Sequence, residues 1–310
     1  MKAPIISAKN LSKWYGQVIG LNNFNLDIMP GITGIVGPNG AGKTTFFKLI
    51  TGMIKANVGE LQVLDQKPWM NTAIHAKFGL CPDYDNLSDD MTGREFLKLS
   101  GGLHAMSGAG LDKRISEVSE IVGMTDAIGR KIGGYSKGMR QRIKIAVTIL
   151  HDPSLLLLDE PLAGTDPLAR KEIIDLIFSL HREHGHDIIV SSHVLFEVER
   201  MTKNVALVYK GRAVASGHIS EIRGLIDKHP HNIVIEGEGL LELAKRFLDM
   251  DYIVSVGFSQ DKSSIHVQVL KPDSFFNDLP QIVADMDCDI TRLHSLDDNL
   301  EAVFRYLVGW

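Results

Sequence analysis

Cysteine is nearly absent. The 310 residues contain only Cys81 and Cys288, far apart in sequence and matching no metal-binding or redox spacing. A disulfide framework is excluded on that count, and a reducing, cytoplasmic setting is the expectation. Long apolar runs are missing too. A membrane-spanning helix needs roughly 20 apolar residues, whereas the most apolar stretch, Leu155–Leu158, is cut at once by Asp159 and Glu160. The opening MKAPIISAKN lacks the apolar core of a signal peptide. Neither sign of charge dominates: 33 Lys+Arg against 38 Asp+Glu leave −5 at pH 7, which argues against a general polyanion binder and against nucleic acid as partner. What remains, 44% hydrophobic and 23% charged, excludes collagenous, low-complexity and wholly disordered chains. The length suggests about two domains.

Strand and helix patterns alternate over the first 220 residues. VIGLNNFNLDI alternates around a turn, Ile32–Val36 is a short apolar strand, and Thr44–Met53 suits a helix. Asp112–Val122, Gln141–Leu150 and Pro167–His181 carry apolar residues at three- and four-residue spacing, while Leu155–Leu158 and Ile188–Ser191 read as buried strands. This predicts an α/β layered fold with a mostly parallel sheet over residues 1–222. From 225 to 310 the order changes to strand Asn232–Glu236, helix Leu240–Leu248, strands Tyr252–Gly257 and Ser264–Leu270, helix Phe275–Met286, strand Asp289–Leu293 and helix Leu300–Val308. That is a small α+β domain of ferredoxin-like type. Its histidines, His229, His231, His266 and His294, are scattered and suggest no metal site.

The strongest motif follows the strand Ile32–Val36. Gly37, Pro38, Asn39, Gly40, Ala41, Gly42, Lys43 and Thr44 form a full G-x-x-x-x-G-K-[ST] loop opening a helix, with Thr45 next in line. Glycines let successive N–H groups point at phosphate oxygens, and the helix N-terminus adds its positive dipole end. Lys43 then supplies charge to the β- and γ-phosphates of a bound nucleotide, and the Thr44 hydroxyl a ligand for Mg²⁺. The apolar strand Leu155–Leu158 ends in Asp159 and Glu160, placing two carboxylates at the edge of the sheet where ligands bind. Asp159 suits Mg²⁺, and Glu160 suits the orientation or deprotonation of a water.

A P-loop with an acidic strand still covers kinases, GTPases, helicases and motors. The stretch Tyr135-Ser136-Lys137-Gly138-Met139-Arg140-Gln141-Arg142, ahead of Asp159-Glu160, narrows the choice. From about residue 4 to 220 the sequence resembles the ATP-binding subunits of ABC transporters, P-loop NTPases whose signature is usually Leu-Ser-Gly-Gly-Gln. The variant Tyr-Ser-Lys-Gly-Met is similar to that of the branch serving two-component exporters. The resemblance implies that Tyr15, beside the competing Trp14, stacks on adenine. It implies that His193, in Ser191-Ser192-His193, contacts the γ-phosphate, and that Asp166, in Ala163-Gly164-Thr165-Asp166, faces an opposite subunit. It further implies that Ser136 and Gly138 present their helix N-terminus to ATP held by another cassette, in a head-to-tail dimer of identical or related chains.

Two departures stand out against that pattern. Thr165 occupies a position where leucine is usual. Asp83, in Phe78-Gly79-Leu80-Cys81-Pro82-Asp83, stands where glutamine is usual, and no glutamine lies between Gln66 and Gln141. Aspartate can ligate Mg²⁺ but adds negative charge beside a triphosphate and lacks an amide donor, so slower hydrolysis or altered coupling is expected. With no span of its own, the chain is expected to work at the cytoplasmic face of a membrane on a separate permease, peripherally, with the acidic loop Asp83–Asp90 as a contact. An ABC-type ATPase acting in regulation or on the ribosome is the alternative. The latter normally carries two cassettes, and here there is one P-loop. A GTPase is disfavoured by the lack of an Asn-Lys-x-Asp motif. The segment 225–310 is expected to serve dimerisation or regulation.

Overall fold

The computed structural model describes residues 3–223, 230–286, 288–296, 303–304 and 307. The chain divides into two units, Met1–Ser216 and Gly217–Trp310. In the first, a hairpin of β1 (Ile6–Tyr15) and β2 (Val18–Ile28) leads into β3 (Ile32–Val36), α1 (Lys43–Ile50), β4 (Val58–Val63), α2 (Thr72–His75) and β5 (Phe78–Cys81). Helices α3 (Gly93–Leu103), α4 (Gly108–Ile121) and α5 (Lys137–Ile149) follow. The chain then alternates through β6 (Leu155–Asp159), α6 (Pro167–Arg182), β7 (Asp187–Ser192), α7 (Leu195–Met201), β8 (Asn204–Tyr209) and β9 (Arg212–His218), whose last residues cross into the second unit.

Six strands form the central sheet in the order β5-β6-β7-β3-β8-β9, and the pairs β5–β6, β6–β7, β7–β3 and β3–β8 are all parallel. Every residue of β3 and β6 is buried, as strands covered on both faces must be. The antiparallel sheet β2-β1-β4 lies apart from it, and its inward residues Leu11, Phe24 and Leu61 share a core with Ile35, Phe46 and Leu157.

The second unit opens with α8 (Ile219–Arg223) and continues as β10 (His231–Glu238), α9 (Leu240–Leu248), β11 (Ile253–Phe258), β12 (Ser264–Val269), α10 (Pro272–Ala284) and β13 (Asp289–Ser295). Its sheet runs β11-β12-β10-β13, entirely antiparallel. That is the ferredoxin-like order. Ile233, Ile235, Ile265, Val267 and Val269 pack under Leu243, Phe247, Phe275 and Leu279 of its helices. His229 and most of the expected helix Leu300–Val308 lie outside the described residues.

One expectation needs correction, and two helices escape the sequence pattern. VIGLNNFNLDI contains no turn: it is one strand, and the Asn22–Asn23 pair is a bulge. Asn23 takes φ 48° where the register against β1 slips between Leu11 and Lys13; asparagine tolerates this left-handed backbone better than most residues. Helix α3 escapes the periodicity reading because Ser100, Gly101 and Gly102 dilute it. A capping box nevertheless starts it: Glu95 N–H donates to Thr92 Oγ1 at 3.2 Å, and Thr92 N–H to Glu95 Oε2 at 2.8 Å. Helix α7 is likewise a short element the pattern did not separate from its neighbours.

Candidate functional site

The parallel order β6-β7-β3 delivers three chain segments to one edge of the sheet: Asp159-Glu160, Ser192-His193 and Gly37. The loop after β3 carries three glycines, where a side chain would be strained or blocked. A Cβ on Gly37 would lie 2.1 Å from the Val208 carbonyl oxygen, and Gly42, capping α1, has φ 112°. Lys43 is almost wholly buried. Its ammonium donates to the carbonyls of Gly37 at 2.7 Å and Pro38 at 3.3 Å, and lies 3.3 Å from Glu160 Oε1.

Asp159, 3% exposed, accepts hydrogen bonds from Thr44 Oγ1 at 3.0 Å and Ser191 Oγ at 2.5 Å. Burial pushes its carboxyl pKa above the ordinary range; those two hydrogen bonds oppose the shift, and the charges of Asp83 and Glu160 add to it. Ser191 Oγ also accepts the Glu160 N–H at 2.9 Å, so one hydroxyl pins both acids. Glu160 itself has φ 48°, a strained backbone of the kind that persists where surrounding contacts over-determine it. Its Oε2 lies 2.8 Å from His193 Nδ1. Lys43, Thr44, Asp159, Glu160 and His193 are thus brought together, joined by direct contacts. The hard-oxygen pair Thr44 and Asp159 suits Mg²⁺; the glycine cradle, the helix N-terminus and Lys43 suit a polyphosphate.

Tyr15 ends β1, 43% exposed, and neighbouring Trp14 is 37% exposed. A Cβ on Gly20 would lie 2.9 Å from the Tyr15 ring and 3.0 Å from Thr45. The edge of the tyrosine ring therefore lies close to Thr45, in the first turn of α1. Asp83 is exposed on the loop after β5, and its charge is felt at Asp159.

Ser136 and Gly138 belong to a different neighbourhood. Ser136 caps α5, accepting the Met139 N–H at 3.2 Å, and Gly138 packs so closely that a Cβ would lie 2.7 Å from that of Ala169. Asp166 caps α6 through Leu168 and Ala169 N–H groups, both at 3.0 Å. These residues line one depression with Met139, Arg142 and Glu172, and no P-loop residue borders it. Tyr135 serves the core, its hydroxyl donating to the Ala127 carbonyl at 2.7 Å.

Several residues that sequence reasoning passed over matter here. Arg140, in the first turn of α5, holds Asp85 at 2.5 Å and Asp89 at 2.7 Å, and its hydrogen bond keeps the Asp85 carboxyl below its usual pKa. Half of the acidic loop Asp83–Asp90, expected to face a partner, is thereby committed to the signature helix. Gln141 reaches the same segment, its Nε2 lying 3.4 Å from Cys81 Sγ, a thiol that burial pushes up to about 11. Lys144, one turn on and also buried, bears electrostatically on Cys81 and Asp85. Gln141 and Lys144, polar residues one turn or less apart among the buried positions of α5, were the available signal.

Among the described residues, no helix is long and apolar enough to cross a membrane. Residues 21–163 match the family model described as ABC transporter. An uncharacterised ABC transporter ATP-binding protein of Nostoc is 38% identical over 68% of this chain, which spans 64% of that relative's length. The bacitracin transport ATP-binding protein BcrA of Enterococcus faecalis is 30% identical over 98% of this chain and 96% of its own. The Nod factor export ATP-binding protein I of Cupriavidus metallidurans is 31% identical over 70% and 72%. The bacterial ABC transporter cassette MJ0796, solved as a dimer, superposes with a TM-score of 0.61 at 27% identity, covering 69% of this chain and 98% of that one.

Proposed function

The chain belongs to the ABC transporter family as an ATP-binding, ATP-hydrolysing subunit, and from that premise we propose that it dimerises head-to-tail around Mg-ATP to drive a separate permease, in the direction of export. Residues 1–222 act as the nucleotide-binding domain and 225–310 as an accessory domain for dimerisation or regulation. The observation that carries the reading is the direct contact of Glu160 with both Lys43 and His193 at the edge that receives the P-loop. Tyr15 stacks on adenine, while the loop from Gly37 to Thr45 holds the phosphates. Glu160 takes a proton from water as that water's oxygen bonds to the γ-phosphorus and the bond to the β-phosphate oxygen breaks. His193 holds Glu160 in place and faces the departing phosphate. Mg²⁺, held by Thr44 and Asp159 with Asp83 nearby, would neutralise phosphate charge.

The depression that Ser136, Gly138 and Asp166 line has no P-loop residue on its border, which supports a two-chain site. One P-loop and one signature cannot serve each other within a single chain, and MJ0796 is a dimer. Export is favoured by the Tyr-Ser-Lys-Gly-Met variant and by the similarity to the Nod factor export protein. A peripheral place at the cytoplasmic face of the membrane follows from the permease. Purification of the tagged full chain from membranes tests the reading, with a multispan membrane protein as the expected companion. A ribosomal or soluble partner in its place would favour the non-transport alternative.

Asp83 gives a second expected outcome. Its charge already adds to that of Asp159 and Glu160, so Asp83→Gln relieves repulsion toward a triphosphate and restores an amide donor. The variant is expected to hydrolyse ATP several-fold faster, about 1 kcal/mol in barrier. An unchanged rate in a steady-state phosphate-release assay would show that Asp83 does not meet the reacting phosphate.

A further inference from the structure

Catalytic geometry in this site depends on two loops that share no strand: the turn after Glu160 and the segment Ser192–Val194 that carries His193. We propose that Arg170 and Glu197 are positioning residues that lock these loops into one closed circuit around Glu160. The proposal rests on the role given above to Glu160 and His193.

Glu197 lies in the first turn of α7, 7% exposed. One carboxylate oxygen accepts from Ser192 Oγ at 3.2 Å; the other lies 3.1 Å from Arg170 Nη1. Ser192 Oγ in turn accepts the Val194 N–H at 3.0 Å, so the residues on either side of His193 are held by one hydroxyl. Across the pair, Arg170 Nη2 donates to the Thr165 carbonyl at 3.3 Å. Thr165 is buried, bonded through Oγ1 to Leu162 O at 2.7 Å, and the Ala163 N–H returns the turn to the Glu160 carbonyl at 3.1 Å. His193 Nδ1 closes the circuit on Glu160 Oε2.

Three features argue that this link does more than support the fold. Helix α7 has no side-chain cap of its own, since Val194 occupies the N-cap position, so Ser192 and Glu197 take over the start of the helix and thereby the position of His193. The fold tolerates a buried Arg170 Nε with no partner among the described residues, a cost that an apolar contact would avoid. A guanidinium alone offers two donors diverging toward a carboxylate and a backbone carbonyl, and lysine cannot make both contacts from one geometry.

The test uses full-length Arg170→Met, Glu197→Gln and Arg170→Lys proteins, with turnover measured per nucleotide-binding site and ATP affinity measured separately. Affinity is expected to stay within about twofold of the parent. Turnover should fall roughly 10–100-fold in the first two variants, with Arg170→Lys between them and the parent. Because turnover is counted per binding-competent site, a loss of folded protein alone would not lower it. Turnover within twofold of the parent in Arg170→Met and Glu197→Gln, or affinity falling in parallel with turnover, overturns the proposal. Glu160→Gln serves as the reference. If it keeps full turnover, the site assignment fails and this proposal with it; if it loses turnover while the pair variants keep theirs, only the positioning role fails.

Discussion

Replacing Glu160 with glutamine is expected to lower ATP turnover by about 10²–10⁴-fold while leaving nucleotide bound. The side chain keeps its shape, so its contact with His193 at 2.8 Å and the Glu160 N–H bond to Ser191 have a steric equivalent. What disappears is the acceptor for a water proton. The substitution also removes one negative charge 3.3 Å from the Lys43 ammonium, freeing that cation for phosphate, so affinity for ATP should rise rather than fall. Both effects lengthen the life of the ATP-bound state. If two chains close around ATP, Glu160→Gln should therefore run as a dimer in gel filtration with ATP and as a monomer without it. Turnover close to that of the parent would remove Glu160 from the reaction. A variant that is inactive yet monomeric with ATP would leave the base in place and remove the two-chain site.

Legibility from sequence followed the length of the signal. The P-loop could be read because its chemistry is local: eight consecutive residues carry the turn, the helix start and the cation. Asp159 and Glu160 could be read because a buried strand must end somewhere, and two acids at its end leave little choice of direction. The antiparallel sheet was harder, since β1 mixes Lys9, Asn10, Ser12 and Lys13 into its course and bends at Asn10, with φ 49°. Its alternation is broken at the places where the bulges lie. Long-range polar links were not legible at all. Arg140 reaching Asp85, Gln141 reaching Cys81 and Arg170 reaching Glu197 join residues from different elements, and no period in the sequence encodes them. The acidic loop shows the consequence: four aspartates read as an exposed contact, yet Arg140 claims two of them.

Asp159→Asn is expected to abolish Mg²⁺-dependent turnover while making the nucleotide-free protein more stable at neutral pH. The carboxyl is buried, and burial raises its pKa. Between the ordinary value of 3.8 and the raised one, the native state holds a proton that the unfolded chain has released. Stability consequently falls as pH rises through that window. Above it, the folded protein bears a dry carboxylate beside Glu160 and Asp83, only partly compensated by Thr44 and Ser191. Asparagine carries no charge, and the two hydroxyls can rotate to meet its amide. A gain of about 1 kcal/mol at pH 7 is the expected scale for relieving such a functional site. It should shrink toward nothing as pH drops to that of a protonated carboxyl. Urea unfolding at pH 7 and at pH 3, below the ordinary value of 3.8, reads both limits. Adding Mg-ATP should reverse the order, because a ligand that binds only the folded parent stabilises it by mass action and Asp159→Asn has lost the carboxylate that holds the ion. A variant no more stable than its parent at pH 7 would mean that burial does not strain Asp159, and one that Mg-ATP protects equally well would mean that Asp159 does not hold the metal.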